Sequence, residues 1–265
     1  MKYKFQRKHL SIPYLLFLIL FVVVPVCLII YYAFTDKGTG QISLNNLLQF
    51  FSDTTNVNVL IISIVFALAN TIICLLIGYP IAYILASKKI KMNKVVVLLF
   101  IMPMWINFVI RTGATRDLLT WIGLGGGDFP ELATIIGLVY NYLPFVILPL
   151  HSTMLKMDQS QIEASYDLGA KPIQTFTKVI IPMTMPGIVS ACTMVFMPTI
   201  SSYVISDLLS EYNIVLFGSY IDLYFNQGNW NFGAFMALIM LILIGISVLI
   251  TNKFSKEDNA RTSLW

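Results

Sequence analysis

The chain has 265 residues, of which 57% are hydrophobic and only 11% charged, with a formal net charge of +4. A soluble domain carries roughly 25% charged residues, and the mean hydropathy here is +0.80. Most soluble enzyme classes are excluded, and lipid becomes the solvent for most of the chain.

Six stretches lack Asp, Glu, Lys and Arg: 9–35, 54–87, 95–110, 132–155, 179–206 and 223–252. A hydrocarbon core of about 30 Å is crossed by about 20 helical residues at about 1.5 Å each, and five of the stretches exceed that. The first follows Lys2, Lys4, Arg7 and Lys8, like the basic region of a secretory signal. Its apolar stretch from Tyr14 to Phe34 is too long for a signal core, and no small-x-small cleavage site follows, so an uncleaved first helix is expected. The third stretch is short, but Lys94 and Arg111 flank it and long basic side chains snorkel to the interface, so it too reads as a span. Gly123, Gly125, Gly126 and Gly127 then form an external turn-rich loop. The expected fold is all-α, a single transmembrane domain over 1–265 with six transmembrane helices.

Orientation follows from the basic residues. With the N-terminus inside, fourteen Lys and Arg fall on the inner side, from Lys2 to Arg261, and three (Lys37, Arg111 and Arg116) on the outer. That bias places both termini in the cytoplasm, as expected of a multi-pass protein of the bacterial cell membrane. The positive charge is thus a topology signal, and no basic face with interleaved aromatics points to nucleic acid.

Catalytic and metal chemistry find no support. Cys27, Cys74 and Cys192 lie inside apolar stretches and read as buried thiols; His9 and His151 have no Cys, Asp or Glu at ligand spacing. Neither a phosphate-binding G-x-x-x-x-G-K-[ST] nor H-E-x-x-H nor G-x-S-x-G occurs. If ATP drives this protein, another subunit hydrolyses it, and no cofactor is expected on this chain. Pro25, Pro80, Pro103, Pro144, Pro149 and Pro198 interrupt the spans and free carbonyls that must be re-satisfied internally. Asn70, Thr71, Gly78, Asn107, Thr199, Ser201 and Ser202 accompany them, as close helix packing requires.

The cytoplasmic segment 156–182, KMDQSQIEASYDLGAKPIQTFTKVIIP, is long for a connection and reads as two short helices. Met157, Gln161 and Ser165 trace one face of the first and Ile162 and Tyr166 another; Gly169 supplies a stop, and Pro172 opens a second helix. There Ile173, Phe176 and Ile180 form an apolar stripe.

This segment resembles the cytoplasmic loop of bacterial ABC importer permeases: Glu-Ala-Ala, three residues, Gly, nine residues, Ile-x-Leu-Pro. Glu163, Ala164 and Ser165 stand at the triplet, Gly169 at the glycine, Val179 and Ile181 at the aliphatics, and Pro182 at the proline. Within that superfamily the chain is similar to the B-type permease subunits of spermidine/putrescine importers. Pro103, Trp105, Phe108 and Arg111 carry the likeness near the third span, Pro198, Asp207, Leu208 and Leu209 near the fifth, and Trp230, Phe232 and Gly233 before the sixth. Ser201 and Ser202 stand where that family has Gly and an acidic residue.

The resemblance implies the six-helix fold of type I, methionine-importer-like permeases, with 156–182 as the coupling loop. It implies a C-type permease partner, two ATP-binding subunits and an extracytoplasmic polyamine-binding protein, with polyamine passing between the two permeases within the lipid bilayer. Glu163, Ala164, Ser165, Gly169 and Pro182 would engage the ATPase. A polycation is held by carboxylates, carbonyls or aromatic faces, the last worth about 0.5–2 kcal/mol each. Trp105, Tyr140, Tyr142, Tyr203 and Asp207 are the substrate-path candidates on that chemistry. Arg111 would repel a polycation and is assigned to docking the binding protein or to helix-end structure. Two alternatives differ in class: an ABC permease for iron, thiamine, an opine or another solute, and a stand-alone secondary transporter, against which none of the six stretches contains an acidic residue.

Overall fold

The computed structural model describes residues 11–87 and 93–262. His9, the N-terminal basic residues and Lys88, Lys89 and Lys91 lie outside the described residues. The first apolar stretch forms α1 (Ser11–Leu18), a π turn (Ile19–Val23) and α2 (Val24–Ala33). Pro25 would drive its ring into the carbonyl one turn earlier, and the wider π turn takes up that clash. None of the apolar centre of this span is buried by the chain, and Cys27 is exposed rather than buried as the sequence led us to expect. A turn with one antiparallel bridge, Thr35 to Ile42, leads to α3 (Asn45–Ser52) and then α4 (Thr54–Ala86).

The third stretch departs from a simple span. It forms α5 (Asn93–Ile101) and a 3-10 turn (Met102–Trp105), and the chain then bends by 98° into α6 (Phe108–Trp121). Pro103 stands in the first turn of the 3-10 segment, Ile106 is extended, and the Asn107 side chain caps α6 by accepting from the Val109 N–H at 2.9 Å. A proline and an N-cap four residues apart end one helix and begin another.

The remaining helices are α7 (Pro130–Met154), α8 (Gln159–Asp167), α9 (Pro172–Thr175), α10 (Ile181–Ile200), α11 (Val204–Leu209), α12 (Phe217–Asn226) and α13 (Trp230–Thr262). A second π turn, Phe176–Ile180, joins α9 to α10 immediately before Pro182, as the first does before Pro25. The second loop helix therefore runs on into the fifth span, Pro172–Ile200. The sixth span starts at Trp230, later than its apolar stretch, because α12 occupies the start and a turn with Gly228 at φ 71° closes it. Among the described residues, five helices are long and apolar enough to cross a membrane, or six if the bent pair counts as one span.

The chain divides into two compact units. In the unit of residues 1–58 with 220–243, Asn231 at the start of α13 donates to the Thr35 carbonyl at 2.8 Å and to its hydroxyl at 2.9 Å. The Phe50 and Phe34 rings both lie against Phe235, with centroids 6.0 and 6.3 Å away.

The unit of residues 59–219 with 244–265 is built around α7. Cys74 and Ala82 of α4, Val146, Leu150 and Met154 of α7, and Ala191 and Val195 of α10 form one cluster. Leu119 of α6, Ala133 and Leu138 of α7, and Ile205 and Leu209 of α11 form a second. Lipid tails are as apolar as leucine, so helices associate here through close packing and hydrogen bonds rather than escape from water. Gly78 fits that demand, since a Cβ there would sit 2.7 Å from Val146 Cγ1. Polar ties span the same contacts: Asn70 donates to the Thr199 hydroxyl at 2.8 Å, and the Tyr79 and Thr184 hydroxyls are 2.8 Å apart.

The bend between α5 and α6 is held by Arg111, 8% exposed. Its Nη1 donates to the Pro103 carbonyl at 2.7 Å, and its Nε, with Nη2 beside it, to Asn141 Oδ1 at 2.9 Å. Asn141 in turn donates to the Gly137 carbonyl at 2.8 Å. Replacing Asn141 by Leu leaves a buried guanidinium short of its acceptor, at a cost of about 1.5–3 kcal/mol. The melting temperature of the purified protein should fall; an unchanged value would remove this network from what stabilises the bend.

Candidate functional site

Within residues 156–182, α8 and α9 are two short helices followed by the second π turn. Asp158 caps α8, its carboxylate accepting from the Ser160 N–H at 2.9 Å. Hydrogen bonds from the Ser160 side chain and backbone hold that carboxyl below the usual carboxylate range. At the other end Gly169 takes φ 79°. Its N–H donates to the Tyr166 carbonyl at 2.9 Å and that of Ala170 to Ser165 at 3.1 Å, the paired closure of a Schellman cap. A residue with a Cβ would be strained at that φ.

The motif triplet splits between two faces. Glu163 and Ala164 are exposed, whereas Ser165 is buried. Its hydroxyl donates to the Ile162 carbonyl at 2.8 Å and lies 2.9 Å from that of Thr175 on α9, which is also buried. The loop helices are thereby tied to each other. Of the apolar stripe, Ile180 is buried and Phe176 packs edge-on to Tyr79 and Tyr83 of α4 at 5.7 and 6.2 Å, while Ile173 is exposed. Pro182 sits in the first turn of α10. Ser165, Thr175 and Phe176 thus link α8 to α9 and the following π turn to α4. Thr175, Tyr79 and Tyr83 were not found from the sequence; a hydroxyl ten residues after Ser165 carries no periodic signal.

The substrate-path candidates occupy different settings. Trp105 is 83% exposed on the 3-10 turn. Tyr140 is exposed, and its ring stands 5.6 Å from the Arg111 guanidinium. Tyr142 donates to the Pro198 carbonyl at 3.3 Å, where the interior proline of α10 lies. Tyr203 is exposed at the N-cap of α11, one turn before Asp207, whose carboxylate accepts from the Ser219 hydroxyl at 2.7 Å. The structure joins Tyr140 to Arg111 and puts Tyr203 and Asp207 on one short helix. Asn141 and Ser219, the partners of Arg111 and Asp207, were missed; an Asn in the middle of an apolar span was the available signal for the first.

After Asp207 the chain makes an unusual turn, with Glu211 and Tyr212 at φ 51° and 64°. The Ser210 hydroxyl accepts from the Ile214 N–H at 3.0 Å, and Asn213 donates to the Gly126 carbonyl at 3.3 Å, which fastens this turn to the glycine-rich outer loop.

Residues 78–256 match the model of the binding-protein-dependent transport system inner membrane component family. The chain is 34% identical to the spermidine/putrescine transport system permease protein PotB of Escherichia coli, covering 93% of this chain and 97% of that protein. It is 32% identical to PotB of Haemophilus influenzae, covering 98% of each. Among solved structures it superposes on a chain of a bacterial alginate ABC transporter with a TM-score of 0.68, at 17% identity and 94% coverage of both chains. An inward-facing MetNI methionine ABC transporter gives 0.60, at 19% identity, over 76% of this chain and 95% of that one. The helical fold, the apolar spans and these relationships agree: the chain belongs to the binding-protein-dependent transport system inner membrane component family, the multi-pass permeases of ABC importers.

Proposed function

We propose that this chain is the B-type permease of an ATP-driven polyamine importer, forming half of the translocation path beside a C-type permease. Two ATP-binding subunits hydrolyse ATP, and an extracytoplasmic protein delivers spermidine or putrescine. The observation that carries this reading is the cytoplasmic loop. Its motif residues fold into a separately capped helix that exposes Glu163 and Ala164 and is bonded through Ser165 and Thr175 to the base of span five. That arrangement suits a coupling element, a rigid handle on a membrane helix through which closure of an ATPase moves the path. The polyamine cargo is supported by similarity to PotB proteins along nearly the whole chain. Asp207 and the Tyr203 ring offer a carboxylate and an aromatic face, the chemistry a flexible polycation requires. Arg111, spent on Asn141 and Pro103, sets the bend at the third span.

In proteoliposomes holding the whole transporter, labelled spermidine should accumulate only with ATP and the binding protein, and Glu163→Ala should abolish uptake while the complex still assembles. ATPase activity that answers to the binding protein without polyamine movement would keep the permease and overturn the cargo. Asp207→Asn should raise the KM for polyamine; unaltered uptake kinetics would take Asp207 out of the path. Gly169→Val forces a branched side chain into the left-handed region at about 1–2 kcal/mol. It should lower transport per ATP hydrolysed, and an unchanged ratio would show that the angle between α8 and α9 does not matter.

A further inference from the structure

The first external segment holds a feature that the transport reading does not use. In α3, Asn46 and Phe50 face the protein. Asn46 donates to the carbonyl of Ala33, the last residue of the first span, at 2.9 Å, and the Phe50 ring rests on Phe235. These contacts hold α3 level with the end of a membrane helix. Asp53 alone separates it from α4, the next span.

The other faces of α3 are sharply divided. Leu44, Leu48 and Phe51, spaced four and three apart, share one side and are 59%, 63% and 65% exposed. Ile42, just before the helix, is 87% exposed. Asn45, Gln49 and Ser52 lie on a second exposed side, and Asn45 points to Asp36, whose carboxylate accepts from the Gly38 N–H at 2.8 Å. No Lys, Arg, Asp or Glu occurs from 38 to 52.

We propose that α3 lies in the headgroup region of the outer leaflet, with Leu44, Leu48 and Phe51 in the acyl boundary and Asn45, Gln49 and Ser52 toward water. Three observations select lipid as the occupant. The helix is hydrogen-bonded through Asn46 to the last residue of a span, so it is held at the level where that span ends. It has no charge with which to recognise an acidic or basic protein. Its apolar and polar stripes are both exposed and adjacent, the pattern of a helix lying in an interface. An anchor there fixes the depth at which the end of the first span meets the outer leaflet, and it stands independently of the cargo.

The test uses the assembled transporter in phosphatidylcholine vesicles, with Cys27, Cys74 and Cys192 replaced by Ala. Spin labels at Leu48→Cys and Phe51→Cys should collide freely with oxygen and little with a water-soluble nickel chelate. Labels at Asn45→Cys and Gln49→Cys should show the reverse. Immobile labels at 48 and 51, shielded from both reagents, would mean that a protein partner covers the stripe and would overturn the proposal, as would chelate access at all four sites. Should the cysteine variants not assemble, Phe51→Trp in the otherwise native chain gives a second reading. Brominated lipid should quench the added fluorescence, and fluorescence untouched by brominated lipid would equally reject lipid contact.

Discussion

A backbone carbonyl released inside hydrocarbon has no water to turn to, and this constraint organises most of the molecule. Where prolines interrupt helices, the chain answers in different ways. Before Pro25 and Pro182 it widens into π turns, keeping the helix continuous. At Pro103 it gives up helicity and bends, and the Pro103 carbonyl is then met by the Arg111 guanidinium. At Pro198 the helix continues, and the Tyr142 hydroxyl donates to the proline's own carbonyl.

The same constraint explains the polar residues in the spans. Thr71, Thr112, Thr184 and Thr199 each turn their hydroxyls back to a carbonyl four residues earlier, so they enter the membrane already satisfied. Asn70, Asn141 and Tyr79 instead reach across to another helix, where one hydrogen bond also sets the rotation of a span. α7 contributes Asn141 to these ties and residues to both apolar clusters of its unit.

The loop 156–182 has a different construction. Glu163 and Ala164 are on the exposed side of α8, and the buried Ser165 hydroxyl is bonded to that of Thr175 on α9. Beyond α9 stands a π turn rather than a plain α-helical join, with Phe176 wedged between Tyr79 and Tyr83. A π turn is a local excess of one residue within a helix, and such turns are frequent at functional sites.

The sequence by itself determined the long apolar spans and the motif in 156–182, because length in hydrocarbon and fixed spacing are one-dimensional properties. The stop at Gly169 and the start at Pro172 were legible for the same reason: both act within one helical turn. Tertiary structure decided what depended on partners distant in the chain. Arg111 became a bend-setting residue through Asn141, thirty positions away; Ser165 turned inward through Thr175; Cys27 faced outward because the described residues do not bury the apolar centre of the first span. The 98° bend was hidden for a further reason: Pro103 and Asn107 are each tolerated in straight spans, and their joint effect depends on an arginine whose partner only folding supplies.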